Sequence, residues 1–163
     1  MPSDTTITQF KIEIPQAQLD DLAYRLEHAR WPADFGNEYW SYGANRAYLE
    51  QVVEYWLTEF DWREQERAMN RFDHFRVEID DVPIHFIHAR GKGPNPTPII
   101  LTHGYPMTFW DFNKIIEPLT DPEAYGRSAD ESFDVVVPSL PGYGFSSPLR
   151  KTGVNFVTTP TSG

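Results

Sequence analysis

The sequence predicts an α/β chain, in which a helical first segment precedes the opening strands of a doubly wound sheet. Three observations carry this. Of the 14 prolines, 11 lie after position 82. The apolar period changes from helical to alternating near Phe75. Two apolar runs, Ile99-Ile100-Leu101 and Phe133-Asp134-Val135-Val136-Val137, each lead into a turn rich in glycine and proline. In open α/β sheets ligands bind beyond the carboxyl ends of the strands, so these two turns are candidate halves of one site.

In the first segment, Pro15 suits the first position of a helix. Leu19, Leu22 and Leu26 follow at helical spacing, and Asp21 can pair with Arg25 at i,i+4. Trp31-Pro32 ends that helix, because a residue before proline is driven from the α region. A second helix carries Leu49, Val52, Val53 and Trp56 on one face. Asp61 and Glu64 have capping-box spacing and open a third, short helix. Between the first two helices, WPADFGNEYWSYG is too aromatic for a linker. Tyr39, Trp40 and Tyr42 are expected to clamp the second half of the protein.

From Phe75 onward, Phe75, Val77 and Ile79 alternate with polar residues, as do Ile84 and Phe86 after an Asp80-Asp81 turn. Asp-Asp is a weaker hairpin signal than Asp-Gly, since its second residue resists positive φ. Ile99-Ile100-Leu101 reads as a strand buried on both faces, and Phe112, Ile115 and Ile116 give the next helix its core face. Phe133 to Pro138 is a second buried strand, completing a βαβ unit. The chain therefore divides into 1–73, helical, and 74–163, the beginning of a sheet.

Composition excludes several function classes. Net charge is −10, from 24 acidic and 14 basic residues, which disfavours nucleic acid and anionic membrane surfaces as partners. Without cysteine, there is no disulfide, thiolate nucleophile or thiolate metal site. No run approaches the ~18 apolar residues of a membrane span, and the N-terminal residues have no leader pattern. A soluble, cytoplasmic protein without a membrane anchor is expected.

In His103-Gly104-Tyr105-Pro106, glycine and proline restrict a turn that can aim the Tyr105 amide N–H above the sheet. A fixed N–H there stabilises a developing oxyanion. A tight strand-to-helix turn with no ligand is the alternative. In PSLPGYGFS, Gly142 and Gly144 begin a G-x-G, but the third glycine of a dinucleotide fingerprint is missing and no helix clearly follows. His85 and His88, three apart on a strand, face opposite ways and cannot share a metal. They are expected to be solvated or hydrogen-bonded. His28 lies near a helix C-terminus and His74 at a strand entrance. Ser146 has no evident base.

Taken in order, FKIEIP, LDDLAYRLEHARWP, YWSYG, YLEQVVEYWLTEFDWREQE, IHFIHARG, LTHGYP, FDVVVPSLPGYGFSSP and TGVNF resemble the N-terminal part of the microsomal-type epoxide hydrolases. These are enzymes of the α/β-hydrolase fold with a helical N-terminal extension. The resemblance covers nearly all of residues 7–155. It implies an aspartate nucleophile that opens an epoxide to an ester, a carboxylate-oriented histidine that activates water, and two lid tyrosines. By resemblance the Tyr105 backbone N–H is an oxyanion-hole donor, and His103, Gly104 and Pro106 shape the hole. Gly142, Gly144 and Ser146 match a second family motif that supports the site. The helical segment would wrap lid and core. No cofactor or metal is implied, and the substrate would be a small apolar epoxide.

The sequence departs from the family at one point. A nucleophile elbow needs a small-X-nucleophile-X-small register on a strand-to-helix turn, and no aspartate or serine behind an apolar strand stands in one. Gly126-Arg127-Ser128-Ala129-Asp130 ends in Asp, and it and the overlapping Ser128-Ala129-Asp130-Glu131-Ser132 lie in a polar loop with no apolar strand before it. The expected fold is thus the N-terminal portion of an α/β-hydrolase, incomplete before its elbow, and inactive alone. The tail VTTPTSG also departs from the pattern after TGVNF. The strand before His103 would present an unpaired outer edge, so self-association is expected. Two other readings stay open: a non-catalytic remnant or binding module using that edge, and another α/β-hydrolase such as a dehalogenase or esterase. The long helical segment weighs against the last.

Overall fold

The computed structural model describes residues 6–154. The elements are β1 (Thr8–Phe10), α1 (Gln16–Glu27), α2 (Arg46–Thr58), α3 (Trp62–Met69), β2 (His74–Ile79), β3 (Val82–Ala89), β4 (Thr97–Ile100), α4 (Ile116–Thr120) and β5 (Phe133–Pro138). The described residues form two compact units, 12–67 and 6–11 with 68–154. Asn155 and Phe156 of the TGVNF motif, and the VTTPTSG tail, lie outside the described residues.

The 12–67 unit is helical, as its spacing predicts. Leu19, Leu22, Ala23 and Leu26 of α1 are half-buried, and Asp21 pairs with Arg25 on the outer face. Pro15 sits one residue before α1, its ψ of 138° belonging to extended backbone, and the helix ends at Glu27, before the Trp31-Pro32 step. On α2 the inward side is Leu49, Val53 and Leu57. The expected Val52 and Trp56 are instead 37% and 44% exposed. Leu57 lies i+4 from Val53 and closes the stripe, which turns Val52 and Trp56 to its flank.

Asp61 accepts a hydrogen bond from the Glu64 N–H at 3.2 Å, the expected N-terminal cap of α3. From that helix Glu66 reaches the Ile14 N–H at 2.7 Å and the Arg63 guanidinium at 2.7 Å. The aromatic loop before α2 is organised from within. Asn37 is buried, accepts from the Tyr42 N–H and donates to the Gly43 carbonyl. Tyr39 and Tyr42 point outward from this unit, and Trp40 leans on Tyr48.

The second unit holds a sheet of order β1-β2-β3-β5-β4. Residues 8–10, read from sequence as part of the helical segment, pair antiparallel with β2 as its edge strand. Three residues are too few to display a period of two, which is why the sequence did not reveal them. Asp80 and Asp81 both take positive φ, 50° and 62°, despite carrying side chains. Ile79 pairs with Val82, so the turn is the two-residue hairpin expected.

The deeper face of this hairpin is not the alternating apolar set. His74, His85 and Ile87 are buried, with Val135 and Val137 of β5 on the same face, whereas Phe75, Val77, Ile84 and Phe86 are half-buried. Aromatic rings take the place of aliphatic packing there: Phe109 and Phe145 lie edge-on to His85, at 4.9 and 5.2 Å.

β4 and β5 are parallel, as a βαβ unit requires. The connection differs from the single helix expected: a 3-10 turn at Phe109–Phe112, capped by Thr108, precedes the five-residue α4. Pro118 inside α4 has no N–H to continue a longer helix. Phe109 and Ile116 are buried, while Ile115 is 43% exposed. The loop before β4 packs tightly: a Cβ on Gly93 would lie 2.0 Å from the Ala129 carbonyl oxygen.

β4 itself corrects the sequence reading. It is not buried on both faces but is the edge of the sheet, with Pro98 exposed and Ile100 67% exposed. Among the described residues no strand pairs with its outer side, as expected.

Candidate active site

Strands β4 and β5 run parallel, so the turns that follow them emerge at the same end of the sheet. His103 joins them. Its ring is buried, its Nε2 accepts the Leu140 N–H at 3.0 Å, and it packs edge-on against Tyr143 at 5.2 Å. Because Nε2 accepts, the ring proton is on Nδ1, which faces the Gly104 carbonyl at 3.3 Å. The two clusters that sequence singled out are thus tied by one neutral imidazole.

That carbonyl also accepts the Met107 N–H at 2.8 Å. The Gly104 C=O and the Tyr105 N–H belong to one planar peptide and point in opposite directions. Holding the carbonyl toward His103 and Met107 therefore turns the Tyr105 N–H away from both. It has no acceptor among the described residues. A Cβ on Gly104 would meet nothing within 4 Å, so the turn borders open space. Gly104 does not take positive φ, and the Tyr105-Pro106 peptide is cis. The Tyr105 ring is 85% exposed, so it is the backbone of this residue that the turn fixes.

The other sequence-predicted residues lie in the loop after β5, Gly142 and Gly144 exposed and Ser146 buried. Ser146 is fully buried: its hydroxyl donates to the Ser139 carbonyl at 2.7 Å and accepts the His85 N–H at 2.8 Å. It faces backbone and no imidazole, which fits support and not nucleophilic attack. Gly142 and Gly144 take φ of 84° and 47°. At Gly144 a Cβ would come within 3.1 Å of the Ser139 hydroxyl.

Three residues that the sequence reading did not connect lie beneath this loop. The Ser139 hydroxyl is 2.8 Å from His85 Nδ1, His85 Nε2 is 2.9 Å from His74 Nδ1, and His74 Nε2 is 2.9 Å from the Met69 carbonyl. A carbonyl only accepts, so His74 carries its proton on Nε2, His85 donates from Nε2, and Ser139 donates to His85. Burial pushes the His85 pKa down to about 3, helped by the Arg76 guanidinium and by the charge a protonated His74 would place beside it. It lowers that of His74 too, against the opposing Met69 carbonyl and Asp73.

A serine, a histidine and a third group in line has the outline of a nucleophile and its base. Here Ser139, His85 and His74 are each no more than 1% exposed, so no substrate reaches them. The sequence held one signal for this pairing. A two-residue turn at 80–81 places His74 and His85 on one face as diagonal neighbours. Among the described residues no three His, Asp or Glu side chains could hold a metal ion, and no helix is long and apolar enough to cross a membrane.

Comparison with known proteins gives this site a family. The model described as epoxide hydrolase N terminus matches residues 7–112, and that of the alpha/beta hydrolase fold matches residues 97–161. A putative epoxide hydrolase of Stigmatella aurantiaca is 48% identical over 149 residues, which is 91% of this chain and 34% of that one. Epoxide hydrolase 1 of Oryctolagus cuniculus is 39% identical over 160 residues, 96% of this chain and 35% of its own. Among solved structures, the juvenile hormone epoxide hydrolase of the silkworm Bombyx mori superposes with TM-score 0.80 at 30% identity. It is covered over 36% of its length by 93% of this chain. The Aspergillus niger epoxide hydrolase gives TM-score 0.76 at 34% identity, with 90% of this chain covering 38% of that one. The chain therefore spans about a third of the length of the curated relatives it matches. The helical unit, the sheet order and the two turns joined by His103 have one common account: this chain belongs to the epoxide hydrolase N-terminus family and forms the N-terminal portion of an α/β-hydrolase fold.

Proposed function

We propose that this chain is the part of an epoxide hydrolase that carries its oxyanion hole. The whole protein would convert a small apolar epoxide and water to a vicinal diol through an aspartyl ester. An aspartate carboxylate attacks an epoxide carbon, and the C–O bond breaks as the oxygen takes a proton. Water then adds to the ester carbonyl, and collapse of the tetrahedral oxyanion releases the diol and restores the carboxylate. The Tyr105 N–H is the donor to that oxyanion, His103, Gly104 and Pro106 shape the turn, and Gly142, Gly144 and Ser146 support it. The carrying observation is the Tyr105 N–H itself, which has no acceptor among the described residues and belongs to a turn with open space beside Gly104. A cytoplasmic location belongs to the same proposal, in keeping with the acidic, cysteine-free composition.

Diol formation from alkyl- and phenyl-substituted epoxides tests the reading. The 163-residue chain alone forms none, because it has no aspartate or serine in elbow register behind an apolar strand. A protein of the relatives' length bearing the same residues forms diol. Turnover by the short chain, or none by the long protein, overturns the proposal.

A second reading is favoured by the unpaired β4 edge, where Ile100 is 67% exposed. An edge of this kind recruits another strand, a second copy of the chain included. Size-exclusion chromatography of the 163-residue chain is expected to give oligomers. A stable monomer that unfolds cooperatively would count against it.

A further inference from the structure

We propose that His85 and His74 are positioning residues for the 103–106 turn, acting through Ser139 and Leu140. This rests on the reading of that turn as an oxyanion hole, but its test does not. Ser139 is fastened to β3 three times over. Its N–H donates to the His85 carbonyl at 2.8 Å, and its hydroxyl donates to the His85 ring at 2.8 Å. Its carbonyl receives the Ser146 hydroxyl, which in turn accepts the His85 N–H. With both sides of Ser139 held, the next peptide has its direction set, and its Leu140 N–H meets His103 Nε2.

From there the path is the one already described, through His103 Nδ1 to the Gly104 carbonyl and so to the Tyr105 N–H. At its far end the path is anchored by the Met69 carbonyl, which fixes the tautomer of His74 and hence of His85. The network is directional: every ring nitrogen in it has one role. An aliphatic side chain at 85 would fill the same space and leave the Ser139 hydroxyl without an acceptor there. That difference separates positioning from packing.

The test reads imidazole 15N shifts and amide exchange in the 163-residue chain at neutral pH, with no substrate present. Expected are Nε2–H tautomers at His74 and His85 and an Nδ1–H tautomer at His103. Ser139→Ala removes one oxygen from the network and His85→Phe removes the acceptor while keeping a ring. In both, Leu140 should exchange about tenfold faster, the scale of one lost hydrogen bond, while Val135 and Val137 keep their protection. His85→Asn, which can still accept from Ser139, should recover most of the Leu140 protection. The proposal fails if Leu140 exchange and the His103 tautomer are the same in Ser139→Ala as in the wild type. It also fails if His85 is found as the Nδ1–H form. Because no turnover is measured, a negative result leaves the hydrolase reading intact, and absence of hydrolase activity leaves this result standing.

Discussion

Tyr105→Pro, made in protein of the relatives' length, is expected to trap the covalent ester. Proline has no N–H, so the tetrahedral oxyanion loses a donor at the moment its charge develops. Removal of one such donor costs about a hundred- to a thousandfold in rate. Ester formation does not create that oxyanion and should be far less affected. Intact-mass measurement after mixing with epoxide should therefore show a species heavier by one epoxide, decaying slowly. Tyr105→Ala is the control, since it removes the largely exposed ring and keeps the N–H. Equal decay of the ester in the two variants would remove Tyr105 from the oxyanion hole.

The second large effect concerns acid. His74, His85 and His88 all have lowered pKa values, with burial the leading cause in each. The unfolded chain then binds protons that the folded chain refuses, so these groups subtract stability as pH falls. Their cost is absent well above the unfolded value of 6.5 and, for His85, grows until about pH 3. Each such histidine contributes a slope of about 1.4 kcal/mol per pH unit in its window.

Asp121 and Asp134 also act on acid stability, but in a lower range. Their pKa values are depressed below the ordinary carboxylate value, by the hydrogen bond from Lys92 and by the Gly91 N–H respectively. Between pH 6.5 and 5 the histidines therefore dominate. Urea midpoints of the chain should fall steadily across that interval, and His85→Asn should flatten the fall by about one histidine's slope. A midpoint unchanged from pH 7 to 5 would contradict the buried, neutral pair.

Much of this architecture was legible in the residues. Alternation and the Asp80-Asp81 pair were enough for the hairpin, and the two apolar runs for a parallel βαβ unit. The shared end of the two turns followed from that, and His103 was already in view. What escaped was decided by pairing over long separations. β1 is too short to show a period, and β4 reads as buried because Ile99, Ile100 and Leu101 are apolar, although only tertiary order decides whether a strand is central or at an edge. Val52 and Trp56 were misplaced because their spacing fits a helical stripe that Leu57 completes better. The His74–His85–Ser139 network needed the register across the hairpin and a contact to a loop 54 residues further on.

Pro98 has a consequence for whatever strand lies against β4. Thr97 and Leu101 send their N–H groups inward, to the Ser132 and Val136 carbonyls at 3.0 and 2.9 Å. Backbone groups alternate sides along a strand, so Pro98 and Ile100 turn theirs outward. An arriving strand can donate to the Pro98 carbonyl but finds no hydrogen there to receive. In any register, a strand that runs past Pro98 leaves one of its own carbonyls facing the pyrrolidine ring, unmatched. The proline thus interrupts the outer edge, and shortens the stretch of β4 that another strand can zip against, before any side chain is consulted.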